Sequence, residues 1–508
     1  MPVTVGERLT LEDVLAVAAG EATELSGPAR ERMAASRRVV DEKVASGELV
    51  YGVTTGIGDL ATVRIPPERA RQLQHDILMS HAVGVGPPLS QAETRAMLLL
   101  RAHVLAKGHS GVRPEVVDLL LALLNRRIHP VVPEQGSLGA SGDLAPLSHL
   151  ALPLIGLGEV FVDDVRRPSA AALADAGLRP LALEAKEGLA LANGTQAMLA
   201  VGLLTVARAQ ALAKAVDVAA AMTIEAVLGT DGPFDERLHA LRPHVGQTAS
   251  AANLRGLMAG SGIVSSHRDS VHLVQDAYSL RCAPQVHGAF RDAVAHARSV
   301  LEVEMESVVD NPIVIPETGE VLSGGNFHGQ PVANVLDHVA AATVSMASIS
   351  ERRLYRILDP AHSHGLPPFL VEESGLNSGY MLVQYTAASL VSESKSLAHP
   401  AAVDSIPSSA GQEDHVSMGM TAARHARDCV TNAEAVVAFE ALAAAQGLDF
   451  RAPLAPGAGS EAGRAAVRSR VAHLDADREV RLDMDAAADL VRSGELVGQV
   501  ESAVGPLA

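Results

Sequence analysis

The stretch LLTVARAQALAKAVDVAAAMTIEAVL, residues 203–228, contains neither proline nor glycine and places alanine on several faces of a helical projection. Its length exceeds the usual 8–20 residues of a helix in a globular protein, and so much alanine lets neighbouring helices approach closely. Two more stretches read the same way: PVANVLDHVAAATVSMASISERRLYRIL, residues 331–358, and residues 415–447, both free of internal proline once begun. Residues 284–308 add a fourth. Together they predict a mainly α fold, a bundle of long, roughly parallel or antiparallel helices. Around it the signals are shorter. Thr10-Leu11-Glu12-Asp13 reads as a capping box opening a first helix. Strand signals are confined to Phe161-Val162 and Ile313–Ile315, each beside turn residues. No linker, charge block or repeat divides the chain. The expected organisation is a mixed N-terminal region over residues 1–200 and a long-helix and C-terminal region over residues 201–508, acting as one cooperative unit.

Composition excludes several functions. The chain has 508 residues, 48% hydrophobic and 20% charged, which is ordinary for a globular protein. Aromatic residues are scarce at 2%, from 7 Phe, 5 Tyr and no Trp, too few for a base-stacking surface. A net charge of −18 repels phosphate backbones and anionic lipid, so neither nucleic acid nor membrane is expected as a partner. Cys282 and Cys429 offer no disulfide framework, and no signal peptide opens the chain, so a cytoplasmic location is expected. Gly188 to Ala207 is twenty residues without a charge, long enough to span a bilayer. Its centre is Asn193-Gly194-Thr195-Gln196, costly in hydrocarbon, and the segment reads as buried protein interior.

Function is expected in the loops between the helices, and the most unusual is EQGSLGASGDLAPLSH, Glu134–His149. A Gly/Ser-rich loop of this kind can be nothing more than a tight turn. A nucleophile elbow fails because Asp143 stands where its second glycine is required. A phosphate loop fails because no Gly-x-x-x-x-Gly-Lys-[Ser/Thr] occurs. A third chemistry uses the backbone. In a compressed Ala140-Ser141-Gly142, the Gly142 nitrogen can close onto the Ala140 carbonyl carbon. Loss of two waters then gives 4-methylidene-imidazol-5-one (MIO), an exposed electrophile. Small residues at 140 and 142 are what such closure needs.

With this loop stand YGVTTGIG (51–58), SHAVGVG (80–86), ANGTQ (192–196), QDAYSLRCAPQVHG (275–288), DNP (310–312), SGGNFHGQPVA (323–333), SLAHPAAVDS (396–405) and QEDHVSMG (412–419). In this order the strings closely resemble the MIO-dependent aromatic amino acid ammonia-lyases, and the histidine ammonia-lyases among them, from about Thr10 to Gly447. Residues after 450 carry no motif that adds to it. The resemblance implies that the small N-terminal region carries the MIO loop and that no external organic cofactor is needed. It also implies a homotetramer with active sites shared between subunits. The implied reaction removes a β-proton that no adjacent carbonyl acidifies and expels ammonia, a poor leaving group unless an electrophile engages the substrate.

By the same resemblance Tyr51 is the catalytic base and Tyr278 its partner across the site, implicated in forming MIO. A phenol with a reference pKa near 10 needs positive charge or donors around it to serve as a base. Arg281, three residues beyond Tyr278, projects to a similar side of a helical turn. It binds the substrate carboxylate as a bidentate fork, where the bland alternative is an internal salt bridge. Asn193 and Gln275 hold MIO or substrate, Phe327 borders MIO, and Asp143 assists cyclisation or simply caps a turn. Ser80-His81 and Gln412-Glu413 match the histidine-specific members. A His and a carboxylate can satisfy the donor and acceptor of an imidazole, whereas the same groups buried against phenyl are penalised. L-Histidine to trans-urocanate is therefore the implied conversion. Gly411, Gly329-Gln330 and Val53-Thr54 depart from patterns common in the family and bear on substrate breadth.

Rival readings remain at this stage. Tyrosine or phenylalanine ammonia-lyases and 2,3-aminomutases share the scaffold, and a non-catalytic helical homologue would need no electrophile. Metal dependence is not expected, since His362-Ser363-His364 and Glu413-Asp414-His415 lack a recognised ligand spacing.

Overall fold

A computed structural model describes residues 1–270 and 274–508. The described residues are mainly helical, and the longest helices among them are Gln196–Ala226, Ala283–Glu306, Gln330–Leu358 and Gly419–Asp449. The helix read from residue 203 starts seven residues earlier. The one read from residue 415 starts later, because Met418 has a φ of +51° and breaks the helical path. The charge-free stretch Gly188 to Ala207 is not one helix: a short helix Glu187–Ala192 ends at Asn193, and the long helix opens at Gln196. Gln196–Ala226 and Gln330–Leu358 are long and apolar enough to cross a membrane, but 67% and 56% of their apolar windows are buried inside the chain.

The residues fall into two compact units. The first comprises Met1–Leu204, Arg298–Asp337 and Pro400–Arg424. It holds the capping box, in which Thr10 Oγ1 accepts from the Asp13 amide at 3.2 Å while Asp13 Oδ2 accepts from the Thr10 amide at 2.9 Å. It also holds all the strands among the described residues, in small pieces. Glu159–Val162 pairs antiparallel with Val165–Pro168 and with His129–Pro130, Ile313–Ile315 pairs with Glu320–Leu322, and Val85–Pro88 pairs with Pro133–Gln135. With few rings available, aliphatic side chains and alanine fill the core. A Cβ at Gly202 would lie 3.0 Å from Leu336 and 3.4 Å from Leu301, so helix surfaces there meet almost backbone to side chain.

The second unit comprises Thr205–Ala297, His338–His399 and His425–Ala508. Its interior is crossed by a chain of buried polar groups. Asp217 accepts from His287 Nδ1 at 2.7 Å, and His287 Nε2 meets Arg353 Nη1 at 3.2 Å. Arg353 then forms a two-pronged pair with Glu440 at 2.6 and 2.9 Å. Arg353 Nη1 also donates to the Ser279 carbonyl at 3.3 Å, at the turn of helix Tyr278–Arg281.

Candidate active site

The loop 136–143 lies between strand Pro133–Gln135 and helix Leu144–Ala151. Pairing of that strand with Val85–Pro88 brings the 80–86 string beside the loop, where the Gly84 amide donates to His149 Nε2 at 3.0 Å. Gly139 and Gly142 bridge across Ala140-Ser141, and three residues take left-handed backbone, Gly139 at φ +85°, Ser141 at +52° and Gly142 at +77°. A non-glycine residue with positive φ is uncommon and clusters at functional sites. At 142 only glycine fits, because a Cβ would sit 2.2 Å from the Gly194 carbonyl oxygen. That same oxygen accepts from the Asp143 amide at 2.7 Å. A doubled-back, small-residue loop with a bare Gly142 nitrogen fits the MIO ring that Ala140, Ser141 and Gly142 would form.

Asp143 does more than cap a turn. It begins the helix Leu144–Ala151 without capping it. Its Oδ2 instead accepts from the amide of Met198 at 2.8 Å, in the first turn of the 31-residue helix Gln196–Ala226. Oδ1 accepts from Ser137 Oγ at 2.8 Å. The carboxylate thus satisfies one of the amides left open at a helix N-terminus and ties the loop to it. Burial pushes its pKa up to about 6, against the pull of its hydrogen bonds.

A cavity of 390 Å³ opens beside Ser141. Of the residues singled out from the sequence, Tyr51, His81, Ser141, Asn193 and Glu413 line it. Tyr51 is held by its own loop, the Gly58 amide donating to its hydroxyl oxygen at 2.9 Å. His81 ends the helix Ala70–His81, and its Nδ1 meets the Ile77 carbonyl at 2.8 Å. Since a carbonyl only accepts, that bond places a proton on Nδ1, and in a neutral ring Nε2 is then the acceptor. Glu413 Oε2 accepts from Ser408 Oγ at 2.9 Å, and Oε1 accepts from Ser141 Oγ at 3.3 Å. Asn193 donates through Nδ2 to the Asn311 carbonyl at 2.9 Å, while its Oδ1 has no hydrogen-bond partner.

Other expected residues lie elsewhere. Ala140 and Gly142 belong to the loop but do not line the cavity, and Phe327, half-buried in the first unit, does not line it either. Gln275, Tyr278 and Arg281 belong to the second unit. Tyr278 is 71% exposed, and the Arg281 guanidinium carbon stands 4.6 Å from the centre of its ring. Among the described residues no carboxylate pairs with Arg281, so the internal salt bridge is not formed. Sequence reading missed the apolar walls Ile57, Leu60, Leu144 and Leu189 and the small Ser409-Ala410 edge. Three of these walls fall inside or beside the quoted strings, which was the available signal.

The aromatic amino acid lyase profile matches residues 9–469. The chain belongs to the aromatic amino acid lyase family. A histidine ammonia-lyase of Gloeobacter violaceus is 54% identical to this lyase over 503 residues, covering 99% of this chain and 98% of the relative. The crystal structure of histidine ammonia-lyase from Trypanosoma cruzi superposes with a TM-score of 0.92 at 41% identity, covering 99% of this chain and 96% of the other. A tyrosine aminomutase from Streptomyces globisporus superposes with a TM-score of 0.94 at 39% identity over the full length of both. Backbone likeness therefore does not separate elimination from amine migration, and the side chains in the cavity must.

Proposed function

We propose that this lyase eliminates ammonia from L-histidine to give trans-urocanate, using an electrophile it makes from Ala140-Ser141-Gly142. The observation that carries the substrate is the pairing of His81 and Glu413 on one small cavity beside Ser141. An imidazole ring brings one N–H and one lone pair. His81 Nε2 accepts the N–H of the neutral ring, and once the ring is protonated its second N–H donates to a Glu413 carboxylate oxygen. A phenyl ring would leave the half-buried carboxylate without a donor, and sites built this way reject such analogues strongly.

The MIO group, once formed, supplies an electrophilic carbon that makes the substrate nitrogen a better leaving group. The remaining work belongs to side chains. Tyr51 takes the β-proton on its phenolic oxygen, which the Gly58 amide already engages at 2.9 Å. The Arg281 fork holds the α-carboxylate, and Asn193 and Gln275 fix the amino acid's polar end. Tyr278 acts across the site, and Phe327 and Asp143 support the ring. Ile57, Leu60, Leu144 and Leu189 keep water from the reacting carbons.

Oligomeric state belongs to the same proposal. Tyr278 is exposed and Arg281 half-buried on one short helix, and in a homotetramer they would complete the cavity of another copy. Within this proposal the lyase works in the cytoplasm, without nucleic acid or membrane partners. The test is ultraviolet detection of conjugated acrylate after separate incubation with L-histidine, L-tyrosine and L-phenylalanine, with Ser141→Ala as control. Product from histidine, absent in the variant, is expected. Product from tyrosine alone would overturn the substrate, and an active Ser141→Ala would overturn the electrophile.

A further inference from the structure

Arg101 has no part in the roles given above, yet it is a fully buried cation bonded to Asn193. It interrupts the apolar run MLLLRAHVLA of the helix Gln91–Ala106 and has no exposed surface. Its Nη1 donates to the Asn193 carbonyl at 2.8 Å and to Gln196 Oε1 at 2.7 Å, while Nε and Nη2 have no hydrogen-bond partner. Among the described residues no carboxylate pairs with it. The nearby anion Asp310 is already held at 2.8 Å by Lys186, both side chains fully buried. A buried cation with incomplete partners is expensive to keep, and packing alone would favour an apolar residue in its place.

What it holds explains why it is there. Arg101 pins the Asn193–Gly194 peptide so closely that a Cβ on Gly194 would lie 2.5 Å from Nη1. The Gly194 carbonyl in turn accepts from the Asp143 amide at 2.7 Å and abuts Gly142. Guanidinium, Asn193–Gly194 and Gly142–Asp143 therefore form one continuous stack.

We propose that Arg101 is a positioning residue for the self-processing of the loop, clamping Gly194 so that the Gly142 nitrogen is pressed toward the Ala140 carbonyl carbon. The role rests on reading Ala140-Ser141-Gly142 as the MIO precursor. In that step the Gly142 nitrogen bonds to the Ala140 carbonyl carbon. The carbonyl oxygen leaves as water with the Gly142 and Ser141 amide hydrogens. The Ser141 hydroxyl leaves as a second water with the Ser141 Cα hydrogen. Neither oxidant nor metal is required, so the placing of the backbone atoms bears directly on the rate. Burial lowers the Arg101 pKa to about 10, so the clamp remains a cation at neutral pH.

The test follows intact mass during cell-free synthesis of the full chain, restricted to the folded pool isolated by size exclusion. The unsubstituted chain should become two waters lighter than encoded. Arg101→Met should lose those waters at least about tenfold more slowly, as expected when reacting atoms are misplaced. Arg101→Lys keeps the charge without the planar fork, should fold, and should mature several-fold more slowly. Folded Arg101→Lys that matures at the unsubstituted rate overturns the clamp, whatever becomes of the Met variant. If the unsubstituted chain itself keeps both waters, the reading of the loop fails and this role falls with it.

Discussion

Asp143→Asn should change how stability depends on pH in a way that its geometry determines. The carboxyl is fully buried, and burial places its pKa at about 6, above the ordinary 3.8. Between those two values the folded chain keeps a proton that the unfolded chain has released. The contribution of Asp143 to stability is therefore present below about 3.8, falls as pH rises through the window, and is lost above about 6. The separation corresponds to about 3 kcal/mol in full. Between about pH 5 and about pH 7.5 it amounts to 1–2 kcal/mol. An amide does not titrate. It can accept from the Met198 amide through Oδ1 and donate to Ser137 Oγ through Nδ2, so both hydrogen bonds survive in kind. The assay is urea denaturation of Ser141→Ala and Ser141→Ala/Asp143→Asn at fixed protein concentration, so that neither chain is processed. The double variant should gain 1–2 kcal/mol on the single one between the two pH values. A difference that stays flat with pH would refute the burial argument. In the Ser141-containing chain the same substitution should slow the loss of two waters, seen by intact mass.

Three other substitutions address separate parts of the structure. Gly142→Ala puts a methyl 2.2 Å from the Gly194 oxygen at a φ of +77°. Backbone strain of about 1–2 kcal/mol and the displaced Asp143–Gly194 hydrogen bond, worth about 1 kcal/mol, should lower thermal stability, and intact mass should show both waters retained. Glu413→Gln should reduce kcat/KM for L-histidine by roughly 10- to 100-fold, the worth of a hydrogen bond to a charged group, with a smaller effect on any residual turnover of L-phenylalanine. Arg353→Met strands the Glu440 carboxylate in the second unit's interior and frees the Ser279 carbonyl. Melting should fall by about 3–5 kcal/mol, and Glu440→Gln in the same chain should restore part of it.

Much of the fold was legible because long alanine-rich runs without proline have few alternatives to long helices. The capping box at Thr10 and the strands at Phe161-Val162 and Ile313–Ile315 were also legible, since each is specified by neighbours in sequence. The return of residues 298–337 and 400–424 to the first unit was not, because no change of composition marks either segment. In the site, Ser141, Tyr51, His81, Asn193 and Glu413 could be named in advance because the strings that hold them resemble those of the aromatic amino acid ammonia-lyases. The grip of Asp143 on a helix N-terminus more than fifty residues away could not, since a buried carboxylate looks like any other in sequence. Arg101 did leave a trace, a lone cation in an apolar run, but its partners are backbone and amide groups that no residue type announces.

The most direct measurement follows L-histidine and purified lyase by proton NMR together with an ammonia assay. One trans-urocanate and one ammonium should appear for each histidine consumed, with no β-histidine at any time. Accumulation of β-histidine, or histidine left unchanged while another aromatic amino acid is consumed, would contradict ammonia elimination from histidine as the reaction of this site.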